Sequence, residues 1–273
     1  MPGVVGLTAV CRDRVVVTDR WNKCLKLVDI VGGRVLDAMC FSEDAEPWDV
    51  ALRKSGVLAV TYPKEQKIRM VDVAAGGNRL LYRSHFTTRD GYASLATYSP
   101  TSLVASVCPP FGNPKVHVID YMGVILRAID CANVAYPRCV DMCGGGEICI
   151  SDWTNHDVKI FTRENTLKHT YSGVGGSADT MLKAPMGLCW DGYANVFVVD
   201  GKTARLHVVS TETGQCSVIF SLAEVSDAEM KLVTFVDASP DLCQSERALI
   251  VTTTTGAIQV YDFQFRRRGA VDV

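Results

Sequence analysis

The chain has 273 residues, of which 48% are hydrophobic and 21% are charged, and its formal net charge is −2. This composition excludes an intrinsically disordered chain, which would be poor in apolar residues and strongly charged. No apolar run approaches the roughly 20 residues that span a bilayer, and we expect neither a membrane segment nor a signal peptide. Because the net charge is near zero, any nucleic-acid binding has to come from a local basic patch.

Eleven cysteines are scattered along the chain, mostly within apolar runs, as at Cys24, Cys149 and Cys189. Without a secretion signal, an odd number of dispersed cysteines indicates reduced thiols in a cytoplasmic protein. The tightest pair, Cys139 and Cys143, has no CxxC spacing and no neighbouring histidine. Zinc sites need four ligands at close spacing, so we expect no metal and no cofactor.

An alternation of apolar and polar residues recurs six times, at steps of 42 to 52 residues. This alternation is typical of a half-buried strand, and a period of this length without helices is typical of propeller blades. We expect the central polar residues of these strands, among them Lys26, Arg69 and Lys159, to form a solvated rim. The six segments are Cys24–Asp29, Lys67–Asp72, Lys115–Asp120, Asp157–Thr162, Arg205–Ser210 and Ala257–Asp262.

A near-continuous apolar run precedes each of these segments, which indicates a strand buried on both faces. These runs are Arg14–Asp19, Val57–Thr61, Leu103–Val107, Ile148–Asp152, Val196–Asp200 and Ala248–Thr252. An inner strand such as Trp48–Leu52 lies before the run, and a fourth strand such as Gly123–Leu126 follows a glycine turn. A β-sandwich would not repeat one four-strand signature six times.

The sequence therefore predicts an all-β fold, a single six-bladed β-propeller of four-stranded antiparallel blades that spans residues 1–273. Closure into a ring protects the edges of these many short strands from solvent and from other chains. The fourth strand of the sixth blade has two candidate sources, Gly269–Val273 or residues before Met1. The predicted blades span residues 4–42, 46–84, 91–130, 135–172, 183–221 and 230–273.

The blade sequences resemble NHL repeats. Blade five reads Ala184-Pro-Met-Gly-Leu-Cys-Trp-Asp-Gly-Tyr-Ala-Asn-Val-Phe-Val-Val-Asp200, similar to the NHL pattern of Pro-x-Gly-Ile followed by Asp-x-x-Gly-Asn-Ile-Tyr-Val-Ala-Asp. Blade four reads Ser151-Asp-Trp-Thr-Asn-His-Asp-Val-Lys-Ile-Phe161, and blade one has Thr18-Asp-Arg-Trp-Asn-Lys-Cys-Leu-Lys-Leu27. Blades two, three and six depart from the pattern, so a site that needs six equal blades is not expected.

The variety of the blades looks most like the C-terminal NHL domain of tripartite-motif (TRIM) proteins. That resemblance implies a non-catalytic module that recognises ubiquitylation substrates, other partner proteins or RNA. It also implies that ubiquitin ligase chemistry would be carried by an upstream RING, and no RING, B-box or coiled coil is present in this sequence.

In an antiparallel four-strand blade, the turn between the second and third strands and the loop to the next blade emerge on the same face. We predict that this face binds the partner, because basic and aromatic residues interleave along it. The turns supply Arg20, Trp21, Lys23, Tyr62, Lys64, Lys67, Phe111, Lys115, Trp153, His156, Lys202 and Arg205. The inter-blade loops supply His85, Arg89, Tyr136, Arg138 and Lys183.

Other residues of this face have competing interpretations. We expect the Asp and Asn of each turn, such as Asp19 with Asn22 and Asp152 with Asn155, to be structural caps. The positions of Trp21 and Trp153 fit packing between blades and contact with a ligand equally well. Acidic residues would repel RNA from part of the face. These are Glu43, Asp44, Glu46, Glu224, Asp227 and Glu229.

Protein recognition is the leading functional hypothesis. Single-stranded RNA binding, centred on blades three to five, is the alternative, since cations suit phosphates and flat rings suit unpaired bases. A third hypothesis is a propeller enzyme, either a calcium-dependent lactonase or a zinc-dependent lyase. Lyases need clustered histidines, whereas the five histidines here are spread along the chain, and we do not expect catalysis.

Overall fold

A computed structural model describes residues 3–41, 45–53, 56–174, 180–221, 230–237, 246–253 and 258–264. Every regular element within those ranges is a strand, apart from the short 3-10 turns Pro63–Glu65 and Gly144–Gly146. No helix in these ranges has the length and apolar character to cross a membrane. The fold is therefore all-β, as the alternating segments predict.

The strands form six antiparallel sheets, each made of strands that are consecutive in the chain. The first sheet contains β1 (Val4–Cys11), β2 (Arg14–Asp19), β3 (Cys24–Asp29) and β4 (Arg34–Cys40). The second contains β5 (Val50–Leu52), β6 (Val57–Tyr62), β7 (Lys67–Val73) and β8 (Leu80–Thr87). The third contains β9 (Ser94–Ser99), β10 (Ser102–Val107), β11 (Lys115–Asp120) and β12 (Ile125–Ile129). The fourth sheet contains β13 (Pro137–Met142), β14 (Ile148–Asp152), β15 (Asp157–Phe161) and β16 (Leu167–Tyr171). The fifth contains β17 (Pro185–Trp190), β18 (Asn195–Asp200), β19 (Arg205–Ser210) and β20 (Cys216–Ser221). The sixth contains β21 (Met230–Asp237), β22 (Glu246–Thr253) and β23 (Ile258–Gln264).

The first strands of the sheets lie side by side around a central channel. Strand β21 contacts both β17 and β1, so the sheets close into a β-propeller. The prediction of six four-stranded blades needs a correction, because the structure describes five four-stranded blades, and the last sheet has three described strands. The segment Gly269–Val273, a candidate for its fourth strand, lies outside the described residues.

The second strand of each blade is buried on both faces, as the apolar runs predict. Every residue of β6 (Val57–Tyr62), β10 (Ser102–Val107) and β14 (Ile148–Asp152) is buried. Each fully buried Val, Leu or Ile contributes roughly 1.5–3 kcal/mol to folding. The core of the molecule is thus a set of apolar layers between adjacent blades.

The third strands are more buried than the alternation predicts, and the expected solvated rim is wrong. Lys159 is only 3% exposed and forms ion pairs with Asp152 and Asp157. The Lys26 ammonium lies 2.6 Å from Asp19, and Arg69 pairs with a carboxylate of its own blade. Pairing with a carboxylate compensates the desolvation of each cation, which allows a polar position to lie between two blades.

Close packing of the inner strands requires a glycine at position 6. A Cβ added to Gly6 would lie 2.6 Å from the Cα of Asp49 and 2.7 Å from Oγ1 of Thr18. We expect Gly6→Ala to lower the free energy of unfolding by about 3 kcal/mol, because the obstacle is backbone of the adjacent blade. Urea denaturation measures this change.

The matched control for Gly6→Ala is Gly56→Ala. Gly56 has a φ of +74°, and an added Cβ would meet no atom within 4 Å. That substitution should cost only about 1 kcal/mol, from the left-handed backbone. Equal destabilisation by the two variants would contradict the close approach of the first two blades.

Candidate partner-binding site

A buried aspartate at the end of the second strand organises the loops in blade four. The carboxylate of Asp152 accepts hydrogen bonds from the backbone N–H groups of Ala135 (2.8 Å) and Tyr136 (3.0 Å) in the preceding inter-blade loop. It also accepts from the backbone N–H and the Nδ2 of Asn155 in the following turn. The two loop types therefore meet on one face, and the structural role predicted for Asp152 and Asn155 is confirmed.

Blades one and five use the same arrangement. Asp19 accepts from the backbone N–H of Gly3, from Asn22 and from Lys26. Burial opposes ionisation of Asp19, but these hydrogen bonds outweigh it and lower its pKa to about 2. Asp200 accepts hydrogen bonds from backbone N–H groups of the preceding inter-blade loop and of the turn that follows it. This face is therefore built on buried, hydrogen-bonded carboxylates.

A β-bulge at the start of the inner strand brings further side chains to the mouth of the channel. In blade four the register steps from Pro137 opposite Asp152 to Cys139 opposite Ser151, which leaves Arg138 as the extra residue. Corresponding irregularities contain Trp48 in blade two and Met186 in blade five. A bulge re-aims the side chain of its extra residue.

These bulged residues and the adjoining loops line one cavity of about 660 Å³. Its volume lies in the range of ligand-binding pockets. Six of the predicted site residues lie together here: Tyr136, Arg138, Trp153, His156, Lys183 and Lys202. The lining also includes Trp48, Ala184, Met186 and Gly201, and it contains no Asp or Glu among the described residues.

Aromatic rings and guanidinium groups pack around Trp48. The Arg20 guanidinium lies 4.3 Å from the Trp48 ring centroid, and that of Arg138 lies 6.0 Å from it. Phe111 contacts Trp48 edge to face at 4.8 Å, and the rings of Tyr136 and Trp153 are 5.6 Å apart. Arg20 and Phe111 thus contact Trp48, which lines the cavity, but do not line the cavity themselves.

Other predicted cations of this face are neutralised within the protein. Glu46 accepts hydrogen bonds from Arg20 Nε at 2.9 Å and from Lys64 Nζ at 2.6 Å. The Lys115 ammonium lies 2.5 Å from Asp90, and Lys67 pairs with Glu65 at 3.0 Å. Carboxylates therefore neutralise the basic residues of this face in blades one to three.

The remaining predicted residues lie away from the cavity. Tyr62 is 1% exposed and packs against Phe41, so its assignment as a binding residue is wrong. The Nδ1 atom of His85 and the hydroxyl group of Tyr82 form a hydrogen bond. His85 also lines a separate groove of about 220 Å³ on the outer side of blade two. Four further predicted residues do not line the cavity, namely Trp21, Lys23, Arg89 and Arg205.

Trp21 and Trp153 occupy equivalent turns but differ in surroundings. Trp21 is 68% exposed and lies over Gly3 of its own blade, whereas Trp153 is 44% exposed and contacts Tyr136. Only Trp153 lines the cavity. Of the acidic residues predicted on this face, Glu46 is described; Glu43, Asp44, Glu224, Asp227 and Glu229 lie outside the described residues.

Sequence reasoning missed Trp48 and Met186. Both were assigned to inner strands, where side chains alternate between the channel and the adjacent blade. A one-residue bulge changes this alternation, and the apolar-polar alternation of the segment does not reveal it. The Pro that precedes each of them, Pro47 and Pro185, is the available signal, since proline is tolerated at bulges and strand starts.

No protein family and no curated protein matches the chain. Solved structures show the fold at low identity. A virginiamycin B lyase from Staphylococcus aureus is 14% identical with a TM-score of 0.62, over 97% of this chain and 86% of that one. A chain of a nidogen/laminin complex is 18% identical with a TM-score of 0.63, over 80% of each chain. The β-propeller domain of Cps50 (Swd1) from Myceliophteria thermophila is 11% identical with a TM-score of 0.61, over 94% of this chain and 83% of that one.

Proposed function

We propose that this chain is a non-catalytic recognition module that binds a partner protein at the mouth of the propeller channel. One observation carries the proposal: three aromatic side chains and Arg138 line the same cavity. Trp, Tyr and Arg dominate the energetics of protein interfaces when they cluster in a desolvated pocket. Trp48, Tyr136 and Trp153 supply the rings, and all three are held by backbone or ring contacts described above.

The NHL-type resemblance of blades one, four and five extends the proposal to a biological setting. In that setting the chain serves as the substrate-recognition domain of a TRIM-type ubiquitin ligase in the cytoplasm. The propeller of the nidogen/laminin complex is a precedent for a protein of this fold within a protein complex. Sequencing the complete gene tests the setting, because RING or B-box cysteines upstream would support it.

Single-stranded RNA is the second candidate, since Arg138, Lys183 and Lys202 lie beside stackable rings. Its weakness is the short length of the basic surface. The cations Arg20, Lys64, Lys67 and Lys115 are already paired with carboxylates. A strand several nucleotides long would therefore meet Glu46, Glu65 and Asp90 outside the cavity, which disfavours RNA relative to a protein segment.

Catalysis is a weaker candidate, although three of the similar structures are virginiamycin or streptogramin B lyases. At 14–16% identity they share the fold with this chain. The described residues contain no group of three or more His, Cys, Asp or Glu side chains that could hold a metal ion. Two buried histidines lie in different blades, and each is hydrogen-bonded to a tyrosine: His117 to Tyr92 and His207 to Tyr171.

Affinity capture from a cell extract, with and without ribonuclease, tests the protein-binding proposal. We expect the double variant Trp153→Ala, Arg138→Glu to lose at least about tenfold of the partner captured by the wild type, because each hot-spot residue contributes 2 kcal/mol or more. Ribonuclease should leave that capture unchanged. The control is Arg34→Glu, which lies at the turn between the third and fourth strands of blade one, on the opposite face, and is 72% exposed.

Two results would contradict the proposal. Equal capture by the wild type and the double variant would move the binding surface away from the cavity. Loss of capture after ribonuclease, together with salt-sensitive binding of labelled oligouridylate, would replace the protein partner with RNA.

A further inference from the structure

Two guanidinium groups lie near the ring of Trp48 and differ in their ionic surroundings. Arg20 lies 4.3 Å from the ring centroid, and its Nε donates a hydrogen bond to Glu46. Arg138 lies 6.0 Å from the centroid and forms no ion pair or hydrogen bond with the described residues, although its charge partly offsets the effect of burial, which raises the pKa of Asp49. The guanidinium N–H groups of Arg138 therefore have no direct acceptor among the described residues.

Two lysines extend the positive charge of Arg138 along the cavity wall. Lys183 and Lys202 are exposed, and neither belongs to an ion pair among the described residues. Three carboxylates adjoin the lining residues, those of Asp49, Asp152 and Asp200, and each is already engaged by backbone N–H groups. The lining itself contributes cations and, among the described residues, no carboxylate.

A polar donor within the site also lacks a partner. Trp48 is 8% exposed, and its indole Nε1–H is buried with no hydrogen-bond acceptor among the described residues. An indole N–H can only donate, so the Trp48 ring next to Arg138 carries an unsatisfied donor.

Apolar surface adjoins these donors. The rings of Tyr136 and Trp153 and the side chain of Met186 form the rest of the wall. A free inorganic anion would use the cations but leave these surfaces uncovered. A peptide segment that carries an acidic side chain next to an aromatic or aliphatic one would use both.

We infer that the cavity recognises an acidic peptide segment, whose carboxylate or phosphoryl oxygens accept hydrogen bonds from Arg138 while an adjacent apolar side chain packs on Tyr136 and Trp153. The inference rests on the proposed function and adds the chemistry of the partner. Charge-assisted hydrogen bonds to a guanidinium are about twice as strong as neutral ones and provide planar specificity. Lys183 and Lys202 attract the segment electrostatically without fixing its geometry.

Selection from a phage library of random dodecapeptides tests the inference on the intact chain. The wild type should enrich peptides with two or more Asp or Glu residues beside an aromatic or aliphatic residue. Arg138→Gln should weaken binding of an enriched peptide at least about tenfold, because the glutamine cannot form charge-assisted hydrogen bonds to the peptide's acidic group. Arg34→Gln on the opposite face is the matched control and should leave its affinity unchanged.

The outcomes separate this inference from the proposed function. Enriched peptides that lose binding in Trp153→Ala and Arg138→Gln but lack acidic residues would overturn the inference and leave the recognition site in place. Enriched peptides that bind both variants as tightly as the wild type would overturn the site as well. Selection of no peptide would overturn the inference, while capture of a partner from the extract would still support the proposed function.

Synthetic versions of one enriched peptide distinguish the two sources of the anion. Replacing its Glu residues with Gln should weaken binding at least about tenfold, whereas replacing one Glu with phosphoserine should preserve or strengthen it if phosphoryl groups are the natural ligand. Equal binding of the Glu and Gln peptides would contradict the inference.

Discussion

Asp152→Ala is expected to lower the free energy of unfolding by about 3–5 kcal/mol, because it removes one of the two carboxylates that pair with the buried Lys159 ammonium and the acceptor of several loop hydrogen bonds. The Lys159 ammonium lies 3.4 Å from Asp152, and both side chains are almost fully buried. The substitution also leaves the backbone N–H groups of Ala135 and Tyr136 and the side chain of Asn155 without their acceptor. Chemical denaturation followed by tryptophan fluorescence measures the loss.

The controls for Asp152→Ala separate charge from hydrogen bonding. Asn155→Ala removes one hydrogen-bonding side chain from the exposed turn and should cost only about 1 kcal/mol. Asp152→Asn keeps one acceptor but loses the charge, so its effect should lie between the other two. A loss below 1 kcal/mol for Asp152→Ala would contradict the buried network, and with it the anchoring of Tyr136 at the cavity.

Asp49→Asn and Asp141→Asn are expected to flatten the pH dependence of stability between pH 4 and pH 7. Both aspartates line a narrow space of about 210 Å³ in the channel. Burial raises the pKa of each carboxyl from its ordinary value of 3.8 to about 6, and hydrogen bonds from backbone N–H groups only partly oppose this shift. The charge of Asp49 further raises the pKa of Asp141.

The sign follows from proton linkage. A carboxyl whose pKa is higher in the folded state retains its proton more tightly when folded, so its contribution favours folding most below pH 3.8. That contribution is lost as the pH rises through about 6. The difference between a pKa of 3.8 and a pKa of about 6 corresponds to roughly 3 kcal/mol. The unfolding free energy of either variant, relative to the wild type, should therefore increase by about 3 kcal/mol between pH 4 and pH 7.

Asp19→Asn is the control with the opposite sign. The pKa of Asp19 is lowered to about 2, so its stabilising contribution is present above pH 3.8 and is lost as the pH falls toward 2. This variant should lose stability relative to the wild type at pH 7 and approach it at low pH. Parallel pH profiles for the wild type and the Asp49 and Asp141 variants would contradict the buried, protonatable carboxyls in the channel.

Repetition in the sequence was enough to predict the propeller. The six alternating segments and the apolar runs before them correspond to strands whose burial depends on local pattern, and local pattern is what a sequence displays. The Asp and Asn of the turns were also predictable, because Asp152 and Asn155 are three residues apart and bond within one turn. Six of the cavity residues could be predicted because the turns between second and third strands and the inter-blade loops emerge on the same face.

Tertiary structure alone decided which of the predicted cations remain available to a ligand. Glu46 neutralises Lys64 across 18 residues of sequence and Asp90 neutralises Lys115 across 25, and these pairs form only when the strands of a blade pair and bring the loop before the blade next to the turn between its second and third strands. Packing also buried Lys159, whose alternating strand indicates a solvated position. The bulges that bring Trp48 and Met186 to the cavity are single-residue changes of register between strands, and a register between strands is a property of the folded sheet rather than of any one segment.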